Sequence, residues 1–328
     1  MRRTPLGRSS TAVTRLSLGA AALGNLFTPV SDEDAAAAVE AAWACGVRSF
    51  DTAPHYGLGL SERRLGAALR GRPRHEYTVA TKVGRLLEPV AGPAGDDLAN
   101  GFAVPATHRR VWDFSADGVR RSLEASLERL GLDRVDIVHL HDPDEHFAEA
   151  IERAYPELER LRAEGVVGAI GVGMNQAAML TRFVRESDID AVLLAGRYTL
   201  LDQGAAAELL PEAAARGVSV IVGGVFNSGL LADPRPGATF DYAAAAPELV
   251  ERALAMQAVC ERHGVPLRAA AVRFALAPAA VAGALIGARS AEEVTDAARL
   301  LDLPVPEQLW HDLRAEGLLT DHLEEPCG

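Results

Sequence analysis

Four residues with complementary chemistry close successive β-rich runs of this chain. Asp51 and Tyr56 lie in Phe50-Asp51-Thr52-Ala53-Pro54-His55-Tyr56-Gly57, Lys82 ends the run that starts at Tyr77, and His141 ends the run that starts at Val135. A phenol ordinarily titrates near pH 10 (about one in a thousand ionised at neutrality), and a nearby ammonium favours the phenolate. Lys82 would supply that ammonium. Asp51 would pair with Lys82 and compensate its buried charge, and His141 would hydrogen-bond a substrate oxygen. A phenol so placed is a general acid toward a carbonyl being reduced and a general base toward a hydroxyl being oxidised. It cannot accept hydride, so the chemistry calls for a nicotinamide.

Taken singly, each residue has a plainer reading. Asp51 would be a turn cap, Lys82 a solvated surface lysine, His141 a satisfied core histidine and Tyr56 a packed aromatic. Their joint placement at three strand ends favours the site. His139 faces the same side as His141, and His55 adjoins Tyr56, which raises a metal cluster. No acidic or cysteine partner has ligand spacing and the lysine repels a cation, so no metal is expected.

Such residues converge only if the strands run parallel and end on one face. Apolar runs predict strands at 15–18, 47–51, 77–82, 135–140, 166–172, 191–194, 218–222 and 282–286. Helical spacing and caps predict helices between them, at 31–45, 61–70, 116–130, 145–164, 176–185, 205–216, 247–263, 267–276 and 291–301. Eight βα units fit a closed (β/α)8 TIM barrel, with a β-hairpin at 3–13 and a C-terminal helical extension, as a single domain over 1–328. A doubly wound dinucleotide fold is disfavoured: no G-x-G-x-x-G follows the first strand, and Gly223, Gly224 and Gly229 cluster after the seventh. A segment of about thirty residues after Gly84, rich in Pro, Gly and Asp and running through Trp112, shows no period and is expected to be a lid or disordered.

The 328 residues, 48% hydrophobic, suit one barrel, and the net charge of 33 − 45 = −12 disfavours nucleic acid or an anionic membrane as partner. Cys45, Cys260 and Cys327 have no CxxC spacing, so a disulfide framework is not expected and a cytoplasmic setting is. Arg2-Arg3 precedes an apolar stretch from Leu16 to Leu26, but Gly19 and Gly24 interrupt it and no small-residue cleavage pattern closes it, so it is not read as an export signal. No apolar run is long enough to span a membrane.

At the residues quoted above, and essentially end to end, the sequence resembles the aldo-keto reductases. The Phe50 to Gly57 run followed by Ser61-Glu62, then Thr81-Lys82-Val83-Gly84, then His141-Asp142-Pro143, match the family's motifs. The resemblance implies a barrel binding NAD or NADP in extended form, with Asp51, Tyr56, Lys82 and His141 as catalytic tetrad. It places Asn175 at the carboxamide, where Gly173 and Met174 replace the family's serine-asparagine pair. It reads Phe226-Asn227-Ser228-Gly229-Leu230-Leu231 as the pyrophosphate loop, and Gly287, Arg289 and Glu293 as the adenosine-ribose contacts. Gly223 stands where many members stack a tyrosine. His55 and Trp112 are expected at the substrate. NADP-specific relatives carry a lysine, a hydroxyl and an arginine at the positions of Gly287, Ala288 and Glu293, so NAD is the expected preference. Within the family, the motifs resemble the L-fucose/D-threo-aldose 1-dehydrogenase and pyridoxal 4-dehydrogenase subgroup, implying oxidation of a sugar hemiacetal to a lactone, or turnover of pyridoxal or another carbonyl. A cofactor-sensing regulatory subunit, and a phosphate-binding barrel lyase, are the competing readings.

Overall fold

Eight buried runs pair edge to edge as β1 (Leu16–Gly19), β2 (Ser49–Asp51), β3 (Thr78–Val83), β4 (Ile137–His141), β5 (Ala169–Met174), β6 (Ala191–Ala195), β7 (Ser219–Gly223) and β8 (Val281–Gly287). All neighbours are parallel and β8 returns to β1, which closes the barrel. The computed structural model describes residues 1–92, 95–241 and 243–320. Side chains alternate along each strand. Val79, Val83, Val138, Leu140, Ile170 and Val172 point out to the helices and form the main core. Ala80, Ile137, Ala169, Ala191, Leu193 and Ile221 pack inside the ring. Leu6 and Val13, from the hairpin of Arg3–Pro5 and Ala12–Thr14, join that inner cluster and cover its floor.

The helices are α1 (Asp32–Ala44), α2 (Leu60–Leu69), α3 (Ala116–Leu130), α4 (Tyr155–Ala163), α5 (Ala177–Glu186), α6 (Leu209–Arg216), α7 (Pro247–Arg262), α8 (Leu267–Ala275), α9 (Ala291–Leu301) and the C-terminal α10 (Glu307–Ala315). Where a cap was legible it forms: the Ser31 hydroxyl accepts from the Asp34 amide at 3.0 Å. The helix predicted at 145–164 is interrupted. A 3-10 turn at Asp144–His146 precedes it, and Ala150–Ala154 is a π-turn ahead of α4. Pro156 has no N–H to give the α-ladder, which accounts for the widened turn. No helix among the described residues is long and apolar enough to cross a membrane.

The larger departure is the segment after Gly84. It is two nested antiparallel hairpins, Arg85–Pro89 with His108–Trp112 outside and Asp96–Asp97 with Phe102–Pro105 inside. The inner turn uses Asn100-Gly101, with Gly101 at φ 85°, a conformation that asparagine-glycine turns supply readily. Phe102 and Val104 pack on Leu58, with Leu26 and Tyr56 against them, so the insertion rests on the loop that follows β2.

Candidate active site

Strand register decides which residues meet. Parallel pairing of Gly19 with Asp51, Lys82 with His139, and His141 with Gly173 turns these positions to the inner face of the barrel. Lys82, 2% exposed, then spends all three hydrogens at one point. Its Nζ donates to Asp51 Oδ2 at 2.6 Å, to the Thr52 carbonyl at 2.9 Å and to the Tyr56 hydroxyl at 3.0 Å. Tyr56 reaches it from a loop seated backbone on backbone: a Cβ on Gly24 would lie 2.7 Å from the Tyr56 carbonyl carbon. Around this point, Thr52 and Ser61 share a hydrogen bond at 2.8 Å, and Ser61 donates to the Ala20 carbonyl at 2.7 Å. Glu62, fully buried, accepts from Thr81 at 2.9 Å and from Arg129 at 2.5 Å. The Ser61-Glu62 pair thus fixes the strand ends.

Burial opposes charge on both partners of the Lys82–Asp51 pair, and their contact compensates. Burial alone would lower Lys82, yet Asp51 and Tyr56 carry it above the ordinary lysine value. His141 closes the other side, its ring edge-on to Tyr56 with centroids 5.9 Å apart and 5.7 Å from His55. Burial, then Arg85, Lys82 and the neighbouring histidines, hold His141 well below the usual histidine range. It is therefore a neutral hydrogen-bonding group here. Burial and nearby cations take His55 down to about 2, and burial with Lys82 takes His139 down to about 3.

These three histidines make the fold acid-labile. In the unfolded chain each titrates near 6.5, so below about pH 6.5 the unfolded state binds protons that the folded state refuses. Stability present above that pH is lost as the pH falls, at up to about 4 kcal/mol per pH unit for the three together. Chemical denaturation of His139→Leu beside the wild type, between pH 7 and pH 5, should show the slope reduced by about one third. An unchanged slope would mean that His139 titrates freely in the fold.

The cofactor positions expected from sequence occupy the adjoining rim. Gly173, Gly223 and Gly287 lie on the same inner face as Lys82, where a Cβ would meet Lys82 Cε at 3.7 Å, Leu193 Cδ2 at 3.6 Å, and nothing within 4 Å, respectively. Bare backbone beside the Lys82 cluster suits a flat ring, which side chains there would displace. Asn175 follows β5 half-buried on this rim. After β7, Phe226 to Leu231 forms a tight 3-10 turn with Asn227, Ser228 and Gly229 all at positive φ. Asn227 Nδ2 holds the turn to the Gly196 carbonyl at 3.2 Å, its Oδ1 is buried with no hydrogen-bond partner among the described residues, and the Leu231 side chain is in the core. Glu293 does more than face outward: its carboxylate accepts from the Arg289 amide at 2.8 Å and lies 3.7 Å from the Arg289 guanidinium, while the Ser290 hydroxyl accepts from the Glu293 amide at 3.2 Å. Ser290 caps the start of α9, and Glu293 reaches back past it to the Arg289 amide.

At the mouth, where His55 and Trp112 are expected, Arg110 and Asp97 carried no earlier expectation. Arg110, from the insertion, donates to His55 Nδ1 at 2.5 Å and to the His55 carbonyl at 2.9 Å, and binds the buried Asp97 carboxylate in bidentate fashion at 2.8 and 2.6 Å. The hydrogen on neutral His55 is thereby placed on Nε2. Trp112 is 44% exposed, stacks with Phe114, and lies under the Arg85 guanidinium at 4.3 Å. Arg85 in turn pairs with Asp142. No three metal-ligating side chains converge among the described residues.

Comparison with known proteins gives the family. The sequence profile of the Aldo/keto reductase family matches residues 15–315. The chain is similar to a D-threo-aldose 1-dehydrogenase of a Pseudomonas species, 47% identical over 94% of this chain and 95% of that one. It is also similar to a pyridoxal 4-dehydrogenase of Microbacterium luteolum, 41% identical over 96% and 97% of the two chains. Among solved structures, the holo form of the aldo-keto reductase AKR11C1 from Bacillus halodurans superposes with a TM-score of 0.75, at 24% identity and 99% and 98% coverage.

Proposed function

Because the chain belongs to the aldo/keto reductase family and is an NAD(P)-dependent oxidoreductase, we propose that it is a single-domain aldose 1-dehydrogenase that oxidises a cyclic hemiacetal to a lactone with NAD. One observation carries the reading: Lys82 joins the buried Asp51 to the Tyr56 hydroxyl within 3.0 Å. The similarity to an aldose dehydrogenase at 47% supports the substrate class.

A bound nicotinamide supplies the hydride acceptor in this direction, and Asn175, the Phe226 to Leu231 turn, Gly287, Arg289 and Glu293 are the residues that would hold the dinucleotide. The protein's own part is proton and oxygen chemistry. His141, neutral, hydrogen-bonds the anomeric oxygen, and Tyr56 Oη takes that oxygen's proton as its carbon gives up hydride. Lys82 stabilises the phenolate that receives it, and Asp51 keeps Lys82 charged and in place. In reduction the same atoms work in reverse, with Tyr56 as acid. Turnover of a panel of aldoses, pyridoxal and simple aldehydes with each cofactor tests this. A lactone product from an aldose supports it, and turnover of pyridoxal alone assigns the chain the second activity.

NAD should bind at least tenfold more tightly than NADP. Near the ribose end, Arg289 offers attraction to a 2′-phosphate and Glu293 opposes it, each charge pair being worth roughly 4 kcal/mol at about 4 Å and an effective dielectric of 20. The two largely cancel, and Gly287 and Ala288 provide no side-chain donor for the remaining phosphate oxygens, which stay desolvated and unpaired. Glu293→Gln keeps an acceptor for the Arg289 amide and removes the charge, so it should narrow the ratio. Dissociation constants from calorimetric titration decide. Tighter binding of NADP by the wild type would show this loop misread.

A further inference from the structure

We propose that Asp142 and Arg85 read a hydroxyl on the carbon next to the reacting carbon, and so select α-hydroxylated substrates over plain carbonyl compounds. The inference rests on the reading of Tyr56 and His141 as the place where the reacting oxygen sits. Asp142 follows His141 directly and has φ 43°, the left-handed region that a non-glycine residue enters at a cost. Its amide donates to the Gly173 carbonyl at 3.0 Å, which fixes the turn. That conformation brings Asp142 Oδ2 to 3.7 Å from His141 Nε2, close enough for the two to hydrogen-bond oxygens on neighbouring carbons.

Arg85 approaches from the first strand of the insertion and donates through Nη2 to the same Oδ2. Its Nε is buried without a hydrogen-bond partner among the described residues, and Trp112 backs the guanidinium plane. With the Arg85 side chain 11% and the Asp142 side chain 32% exposed, the pair adds little to stability, since partial loss of hydration offsets much of the attraction. It is suited to recognition. A hydroxyl both donates and accepts, so it can give its hydrogen to the carboxylate and receive one from the guanidinium. A methylene in the same place would cover both charges and add a hydrogen bond to neither. A carboxylate on the substrate would compete with Asp142 for Arg85 and meet its repulsion. The chemistry therefore favours a neutral polyol such as an aldose.

The test compares matched pairs differing in one hydroxyl: an aldose and its 2-deoxy analogue in oxidation, and glycolaldehyde and acetaldehyde in reduction. In the wild type, kcat/KM should favour the hydroxylated member by about 100-fold, less than a fully buried hydroxyl site achieves because the ion pair is already self-satisfied. Asp142→Asn keeps the left-handed backbone, which asparagine tolerates, and should bring both ratios within tenfold. Arg85→Lys, lacking the planar fork, should reduce them in part. Quenching of tryptophan fluorescence by glycolaldehyde and acetaldehyde in the NAD-saturated protein, where neither can be reduced, read against Trp112→Phe, gives the same comparison as binding without turnover. Equal losses on both members of each pair, or no wild-type preference, would overturn the proposal. Failure to oxidise any aldose, with the glycolaldehyde ratio and its collapse intact, would instead refute the aldose dehydrogenase reading alone.

Discussion

Tyr56→Phe lowers kcat by about a thousandfold while cofactor affinity and stability stay near wild type. The substitution removes one oxygen, the atom 3.0 Å from Lys82 Nζ, and leaves the ring where Phe102 (6.1 Å between centroids) and His141 (5.9 Å) hold it. Lys82 keeps Asp51 and the Thr52 carbonyl, so the lost hydrogen bond costs only about 1 kcal/mol of stability. Positioned acid-base groups contribute about 10² to 10⁴ in rate, and the other two groups that Lys82 Nζ contacts, the Asp51 carboxylate and the Thr52 carbonyl, are already committed as its acceptors. Single-turnover rates with saturating substrate measure the effect, and retention of more than a tenth of kcat would remove Tyr56 from its role.

Lys82→Met should be costly twice over. The methionine fills much of the space, but Asp51 keeps its burial and loses its counter-ion, and its Oδ1 already has no hydrogen-bond partner among the described residues. Breaking a buried pair from one side costs about 3 to 5 kcal/mol. Burial pushes the orphaned carboxyl up, so it regains stability by taking a proton, and the deficit relative to wild type should shrink as pH falls and grow as pH rises. Activity falls as well, and the pH optimum for oxidation moves upward because the phenol has lost the charge that favours its ionised form. The double variant Asp51→Asn/Lys82→Met should recover much of the stability and none of the activity. Wild-type melting by Lys82→Met, or recovery of turnover by the double variant, would contradict this account of the pair.

The sequence displayed the barrel and the convergence of Asp51, Tyr56, Lys82 and His141 because both are written in local pattern. A strand buried on both faces reads as an apolar run, a polar residue closing such a run marks the rim, and period-two alternation turns Lys82 and His141 the same way. The insertion was opaque for the opposite reason. Its strands are short and half exposed, and what fixes them is tertiary: Arg110 reaches Asp97 thirteen residues earlier and His55 in another loop. Two signals were nevertheless present. Asn100-Gly101 between apolar residues marks a hairpin, and Ser290-Ala291-Glu292-Glu293 has the spacing of a capping box, which gives Glu293 a helix start to reach back over as well as a rim to face. Pro156 inside an otherwise helical run marked the π-turn in the same way.

The neck of the insertion has a consequence for descent. The chain leaves the barrel after Gly84 and re-enters at Asp113, where the Asp113 amide donates to the Gly84 carbonyl at 3.0 Å and Arg85 lies opposite Trp112. With its ends already clasped, the excursion can lengthen at small entropic cost, about 0.6 kcal/mol for a doubling. Tyr56, Lys82 and His141 belong to the barrel and its β2 loop, outside this clasp, whereas Arg85, Arg110 and Trp112 lie within it. Lengthening or trimming of the clasped module can thus redraw what a lineage of such proteins accepts at its mouth, so long as Phe102 and Arg110 keep their contacts with Tyr56 and His55.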